Sequence, residues 1–345
     1  MNFKSIILVI ASLFFAISCS VENDSLMNDA NTEIAANADT YASLTFNVGL
    51  GTATKASTAV NDGTEECSDL LNNCIMIITK GNLASSKITA ITNVTGSNLV
   101  KNSDNTWSVN ANMVVKATSD LYVTVIANAD YSIFASCSTL GEIQSKKVSL
   151  DATNLVKVSS TIAVGTIPSE YLSAHTTDLK PYTLPTISLN QLSAKVELVG
   201  FNYSYTGETG DSMEEPTVEL VSTSLVNAKT TSYLYTQDSN ATYTTIADQK
   251  LDSSLKFSCY TFQNSDASNK TSLQLTVKVG NKTTAKTYTV KTPNGTSYDE
   301  VVKAGYIYKV TVNLTVNRIL KIFDVTLHYE AVPMDQITVN VPTFD

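Results

Sequence analysis

From Tyr41 to Leu50 the chain alternates between apolar and polar positions. Ala42, Leu44, Phe46, Val48 and Leu50 fall on one face, with Tyr41, Ser43, Thr45, Asn47 and Gly49 on the other. A period of two is that of a half-buried strand. Further β-rich segments follow in "NCIMIITKG", "WSVNANMVVKA" and "DLYVTVIANAD", each bounded by Asn, Asp or Gly. "STLGEIQSKK" predicts a short surface helix. Pro168, Pro181 and Pro185 then crowd into one stretch that cannot donate a full hydrogen-bond ladder, which predicts a domain junction. A second series of strands comes after it: "SAKVELVGFNYSY", "TSLQLTVKV", "AKTYTVKT", "AGYIYKVTVNLTV", "IFDVTLHY" and "QITVNV". No helical crossovers separate them, so the pattern predicts antiparallel sandwiches.

Composition narrows the function. The 345 residues leave room for two domains or one large β domain. Charged residues make up 16%, against about 25% in an average soluble domain. The net charge is −9 and Arg318 is the only arginine. A nucleic-acid partner would need a basic stripe, so that class is excluded.

The first residues read as a targeting signal. Lys4 precedes the apolar run "SIILVIASLFFAIS", too short for a spanning helix of about 20 residues. The run ends in small residues before Cys19, where bacterial lipoproteins are cleaved and acylated. Residues 1–19 are therefore expected to be a lipoprotein signal, and residues 20–40 an acidic, aperiodic tether. Glu22 and Asp24, so soon after the cysteine, resemble the surface-export signals of Bacteroidetes lipoproteins. The expected precursor is tied to an outer membrane.

Candidate chemistry is sparse. Cys67, Cys74, Cys137 and Cys259 allow three full pairings or four free thiols. There is no CxxC, and His175 and His328 are the only histidines, so neither a metal nor any other cofactor is expected. The pairs Glu65-Glu66, Glu214-Glu215 and Asp299-Glu300 lie in turn-like sequence and read as solvated charges. No GxSxG elbow, HExxH or phosphate-cradling loop occurs, and no enzyme is expected. Tyr203, Tyr205, Tyr233 and Tyr235 could form a sugar platform, although aromatic residues are favoured in strands in any case.

The alternating strand at Tyr41 runs directly into "GTATKASTAVNDGTEE", small and polar residues carrying the bond Lys55-Ala56. Such a loop is open to a protease. Burying Leu44, Phe46, Val48 and Leu50 contributes about 1.5–3 kcal/mol each, so removing that strand would leave a groove destabilised by roughly 6–12 kcal/mol. The groove would also have an unpaired backbone edge.

With the signal at Cys19, "SLTFNVGLGTATKA", "LYVTVIANA", "LSAKVELVGF" and "AGYIYKVTVNLTV", in that order, the chain resembles the Bacteroidetes fimbrillins, the FimA-type (type V) pilins. It departs from them at Lys55, where the family is often cut after Arg, and at Leu192-Ser193. The resemblance implies an all-β fold with minor helix: two tandem transthyretin-like Greek-key β-sandwich domains, over residues 41–180 and 186–345, with 41–55 removable. It implies export as a lipoprotein, cleavage after Lys55 by a trypsin-like protease, and polymerisation with other copies or related subunits by strand donation. Ile337, Val339 and Val341 share one face of a terminal strand that Pro342 stops, and this is the expected donor. The expected function is a structural fimbrial subunit serving adhesion, with no receptor specified. An anchor, accessory or tip subunit is the alternative, or a surface glycan-binding lipoprotein.

Overall fold

The computed structural model describes residues 39–50, 70–103, 106–207, 214–235, 241–247, 257–294 and 297–334. Within them the chain is all-β. Its first strands are β1 (Tyr41–Leu50), β2 (Asn73–Lys80), β3 (Lys87–Thr95), β4 (Leu99–Lys101), β5 (Trp107–Lys116) and β6 (Leu121–Ala127). They continue with β7 (Lys147–Ser149), β8 (Lys157–Val158), β9 (Ile162–Ala163), β10 (Pro181–Thr183) and β11 (Ile187–Gln191). All but β7 join one ten-stranded sheet in the order β3-β2-β6-β8-β11-β1-β5-β4, with β9 on β6 and β10 on β1. The sheet curls until β3 approaches β5, enclosing Leu44, Phe46, Met76, Ile78, Val123 and Val125 among others.

The later strands are β12 (Ser193–Thr206), β13 (Val218–Lys229), β14 (Thr231–Tyr233), β15 (Tyr243–Ala247), β16 (Phe257–Phe262) and β17 (Ser272–Val279). After them come β18 (Lys282–Thr289), β19 (Thr292–Asn294), β20 (Ser297–Asp299), β21 (Tyr306–Asn317) and β22 (Phe323–Pro333). Two four-stranded sheets, β16-β12-β21-β22 and β15-β13-β17-β18, close over Val196, Leu198, Leu225, Leu275, Val277, Val310 and Val312. Strand β21 alternates as its sequence requires, with Tyr308, Val310, Val312, Leu314 and Val316 buried.

The antiparallel expectation fails at two central places. β12 and β21 run parallel from Lys195↔Ile307 to Thr206↔Asn317, and β1 runs parallel to β10 and β11. A parallel pair needs a long crossover. Between β12 and β21 that crossover is made of strands, the whole second sheet, so the absence of helices did not exclude it.

The proline-rich stretch is not a free linker. Pro181–Thr183 forms β10 against β1, while Ile167, Leu184, Ile187 and Leu189 enter the first core. Strand β11, which falls within the range 186–345 expected for the second domain, is hydrogen-bonded between β8 and β1 of the first sheet. Prolines are tolerated here because Pro181 begins a short flanking strand. The expected surface helix is α1 (Leu140–Gln144), capped by the Thr139 hydroxyl, but Leu140 and Ile143 beneath it are buried.

A third apolar cluster joins the two cores. Ile75, Ile77, Ile126, Phe134 and Val158 from the first half meet Leu234 and Phe262 from the second, and β7 pairs with β14 beside them. This explains the unbroken apolar run of β2. Cys74, Met76 and Ile78 face the first core while Ile75 and Ile77 face the bridging cluster, so both faces are covered.

Candidate functional site: the first strand and its groove

Strand β1 is an interior strand of its sheet. On one flank it pairs antiparallel with β5, through Ala42↔Val115, Leu44↔Met113, Phe46↔Val109 and Val48↔Trp107. The register slips between Leu44 and Phe46 by two residues of β5. An even slip keeps every apolar side chain on the core face, so Ala111 joins that face between Val109 and Met113. On the other flank β1 runs parallel to β10 at Ser43–Thr45 and to β11 at Val48–Leu50.

The expected apolar face is in place. Ala42 and Leu44 are 0% exposed, and Phe46 and Val48 are 1% exposed. The side chain of Leu50 lies outside the described residues, as do Cys19, Lys55, Ala56, Cys67 and the donor face Ile337, Val339 and Val341. Ser43, placed on the polar face by alternation, is buried as well, with Pro181 of β10 as its ladder neighbour.

Polar contacts clamp the entry of β1. The amide of Tyr41 donates to the Ser173 carbonyl at 2.8 Å and that of Ser173 donates back at 3.1 Å. Ala117 N–H donates to the Thr40 carbonyl at 2.7 Å, and Leu184 N–H to that of Thr45 at 3.0 Å. The hydroxyls of Thr45 and Thr183 are 2.9 Å apart. Lys116 pairs with Asp39 at the mouth, and this hydrogen-bonded carboxylate raises the ammonium pKa above its ordinary value. Sequence reasoning missed β10, β11 and the Ser173 clamp as groove walls. The alternation of "ISLNQ", with Ile187, Leu189 and Gln191 buried, was a readable signal for β11.

The other candidates separate in space. Tyr203 and Tyr205 pack edge to face, with the Arg318 guanidinium 5.2 Å from the Tyr205 ring. Tyr233 lies under Lys147, and Tyr235 donates from its hydroxyl to the Ser159 carbonyl, its pKa raised by burial. The four do not make one platform. Glu300 is paired with Lys270 and Lys291, and hydrogen bonding to Lys270 lowers its pKa. His175 and His328 are exposed. Among the described residues no cluster of three metal-ligating side chains occurs, and no helix is long and apolar enough to cross a membrane. Cys74, Cys137 and Cys259 are free thiols, Cys74 in the first core and Cys259 in the second.

Solved structures share this architecture over nearly their whole length. A candidate cell adhesion protein from Parabacteroides distasonis matches with a TM-score of 0.64 at 15% identity, covering 87% of this chain and 99% of its own. A fimbrilin (FimA) from Porphyromonas gingivalis gives 0.56 at 13% identity, covering 87% and 99%. The tip fimbrial protein Mfa3 from Porphyromonas gingivalis, with a C-terminal truncation, gives 0.52 at 13% identity, covering 85% and 99%. The chain has the fold of these proteins. No protein-family model and no curated protein matches the sequence.

Proposed function

We propose that this chain is a fimbrillin-type structural subunit of a cell-surface fimbria, made as an outer-membrane lipoprotein precursor through Cys19 and matured by cleavage after Lys55. One observation carries the reading. The segment just before the expected cut is a strand in the middle of a sheet, with its whole described apolar face buried. Its release would uncover two ladder edges, on β5 and on β10 and β11, around an apolar floor. A strand of matching pattern from another subunit would satisfy both edges at once.

The other end of the chain supports a donor role for Gln336–Asp345. Met334 is 1% exposed against Leu155, Tyr260 and Ile307, and its N–H donates to the Gly305 carbonyl at 2.8 Å. Residues 335–345 therefore depart from a fixed point. Fully extended they would reach about 36 Å, enough to lie along a groove vacated by ten residues. On this reading the chain comprises two tandem β-sandwich domains, and its role is assembly and adhesion without catalysis. The partners are other copies or related subunits, a trypsin-like protease, and the outer membrane at the precursor stage.

N-terminal sequencing of material taken from cells tests the proposal. A mature chain beginning at Ala56 supports the shaft subunit. A chain that retains Tyr41–Leu50 behind a lipidated Cys19 would replace it with an anchor or accessory subunit.

A further inference from the structure

Apart from the groove, the described residues form an open cleft of about 560 Å³ where β2, β3 and β6 meet the segment around β7, within the range of about 300–1,000 Å³ typical of ligand sites. Its wall is dominated by asparagine and aspartate, and no lysine or arginine lines it. The floor is Asn128, 2% exposed and in the left-handed region at φ 60°. Its carboxamide donates to the carbonyls of Leu70 and Leu155, at 2.8 and 3.1 Å, and accepts the Asn72 N–H at 2.8 Å. That leaves the floor rigid.

The residues above it are held in chosen orientations by one another. The Asn73 amide donates to Asn93 Oδ1 at 3.0 Å and to the Ala129 carbonyl at 2.7 Å, and the Asn72 amide donates to Asn154 Oδ1 at 2.9 Å. With those oxygens engaged, among the described residues Asn93 and Asn154 each keep an NH₂ group for a ligand, while Asn72 and Asn73 keep a carbonyl oxygen. Asp130 and Asp151 at the rim accept hydrogen bonds from Ser132 and Thr153, which lower their pKa values and keep both ionised at neutral pH. Tyr131, half-buried, lines the same cleft with Ile133.

We infer that this cleft is a binding site for a neutral oligosaccharide. A sugar hydroxyl donates and accepts at once, and the paired asparagines offer oriented acceptors and donors side by side. A pyranose ring also has an apolar face, which the Tyr131 ring can cover. The two rim carboxylates select against sulfated, phosphorylated or carboxylated sugars, and the buried Lys157 ammonium behind the floor is turned away to the carbonyls of Leu70 and Leu155. The site is independent of the β1 groove and stands whether or not the chain polymerises.

A printed array of neutral and acidic glycans, applied to the purified full-length chain, tests the inference. Neutral glycans should bind, and trigalacturonate, an acidic trisaccharide, should not. For the best neutral glycan, Asn154→Ala and Tyr131→Ala should each weaken binding by about tenfold or more, with the thermal transition retained. Tyr203→Ala, at the exposed tyrosine pair far along the sequence, should leave it unchanged. An array without neutral binders, a preference for acidic glycans, or binding indifferent to Asn154→Ala and Tyr131→Ala would overturn the inference.

Discussion

Leu44 of β1 is the ladder partner of Met113 of β5, and both side chains are buried in the first core. The strand that maturation would remove thus makes up part of the core that holds the precursor together. Leu44→Ala in the precursor should cost about 2–5 kcal/mol, as for other buried leucine truncations, measured by urea unfolding. A chain beginning at Ala56 lacks the residue and should be less stable than the precursor by several kcal/mol, on the order of the burial of its apolar face. Equal unfolding midpoints for the two forms would show that β1 does not hold the precursor closed.

Much of this arrangement was legible in the sequence, and the limits have physical causes. The alternation of Ala42, Leu44, Phe46 and Val48 marked a strand with one buried face, and that is their position. The unbroken run in β2, read from the sequence only as β-rich, turned out to have both faces buried, one in the first core and one in the bridging cluster. Strand partners are not written in local periodicity, however. Nothing in "KPYTLP" indicated that Tyr182 would stand beside Leu44, and nothing in "YIYKV" that Tyr308 would run parallel to Val196. The asparagine cleft was hidden for a related reason. Asn72, Asn93, Asn128 and Asn154 are far apart in sequence and look like ordinary turn residues until β2, β3 and β6 bring them together.

The thiols provide a pH-dependent test. Burial raises the Cys74 pKa from 9.0 to about 12, and raises that of Cys259 further. A thiol whose folded pKa is raised contributes stability below its unfolded pKa and loses it as pH rises through the folded value. Stability should therefore decline from about pH 9 upward for these two groups. At pH 8, Cys74 and Cys259 should resist iodoacetamide in the native chain and react after denaturation, as followed by mass spectrometry of the labelled peptides. Native labelling of either would contradict their burial.

Lipidation is expected at Cys19, because the apolar run before it ends in small residues. Cys19→Ala should abolish fatty-acid labelling and leave the precursor unmatured. Undiminished labelling would show that Cys19 is not the acylated residue.

The donor role of the last segment is tested by deleting Gln336–Asp345. Met334 and the strands before it are unchanged by the deletion, so the monomer should keep its thermal transition within a few degrees. Polymerisation, read by electron microscopy of the matured chain, should be lost. Fibres of normal length would exclude this segment as the essential donor and direct attention to β22, whose Val325, Leu327 and Tyr329 are only half-buried.

Cleavage at Lys55-Ala56 is the step on which the proposed assembly depends. Lys-Ala occurs three times in the chain, and the other two copies are held by structure. After Lys116, the Ala117 N–H donates to the Thr40 carbonyl at 2.7 Å at the end of the β5 ladder. The Lys303 N–H donates to the Tyr308 hydroxyl at 2.7 Å, and the Gly305 N–H to the Ser193 carbonyl at 2.8 Å. A protease must draw several residues into an extended conformation, which these bonds oppose. Lys55 lies outside the described residues, in a run of small and polar side chains that cannot bury apolar area. Lys55→Ala should leave the precursor uncut by a trypsin-like protease, with Tyr41–Leu50 still in its groove and no fibres formed. Mass spectrometry of the subunit and electron microscopy of the cell surface read the two results separately. Long fibres whose subunits still carry Tyr41–Leu50 would show that assembly does not wait for the release of β1.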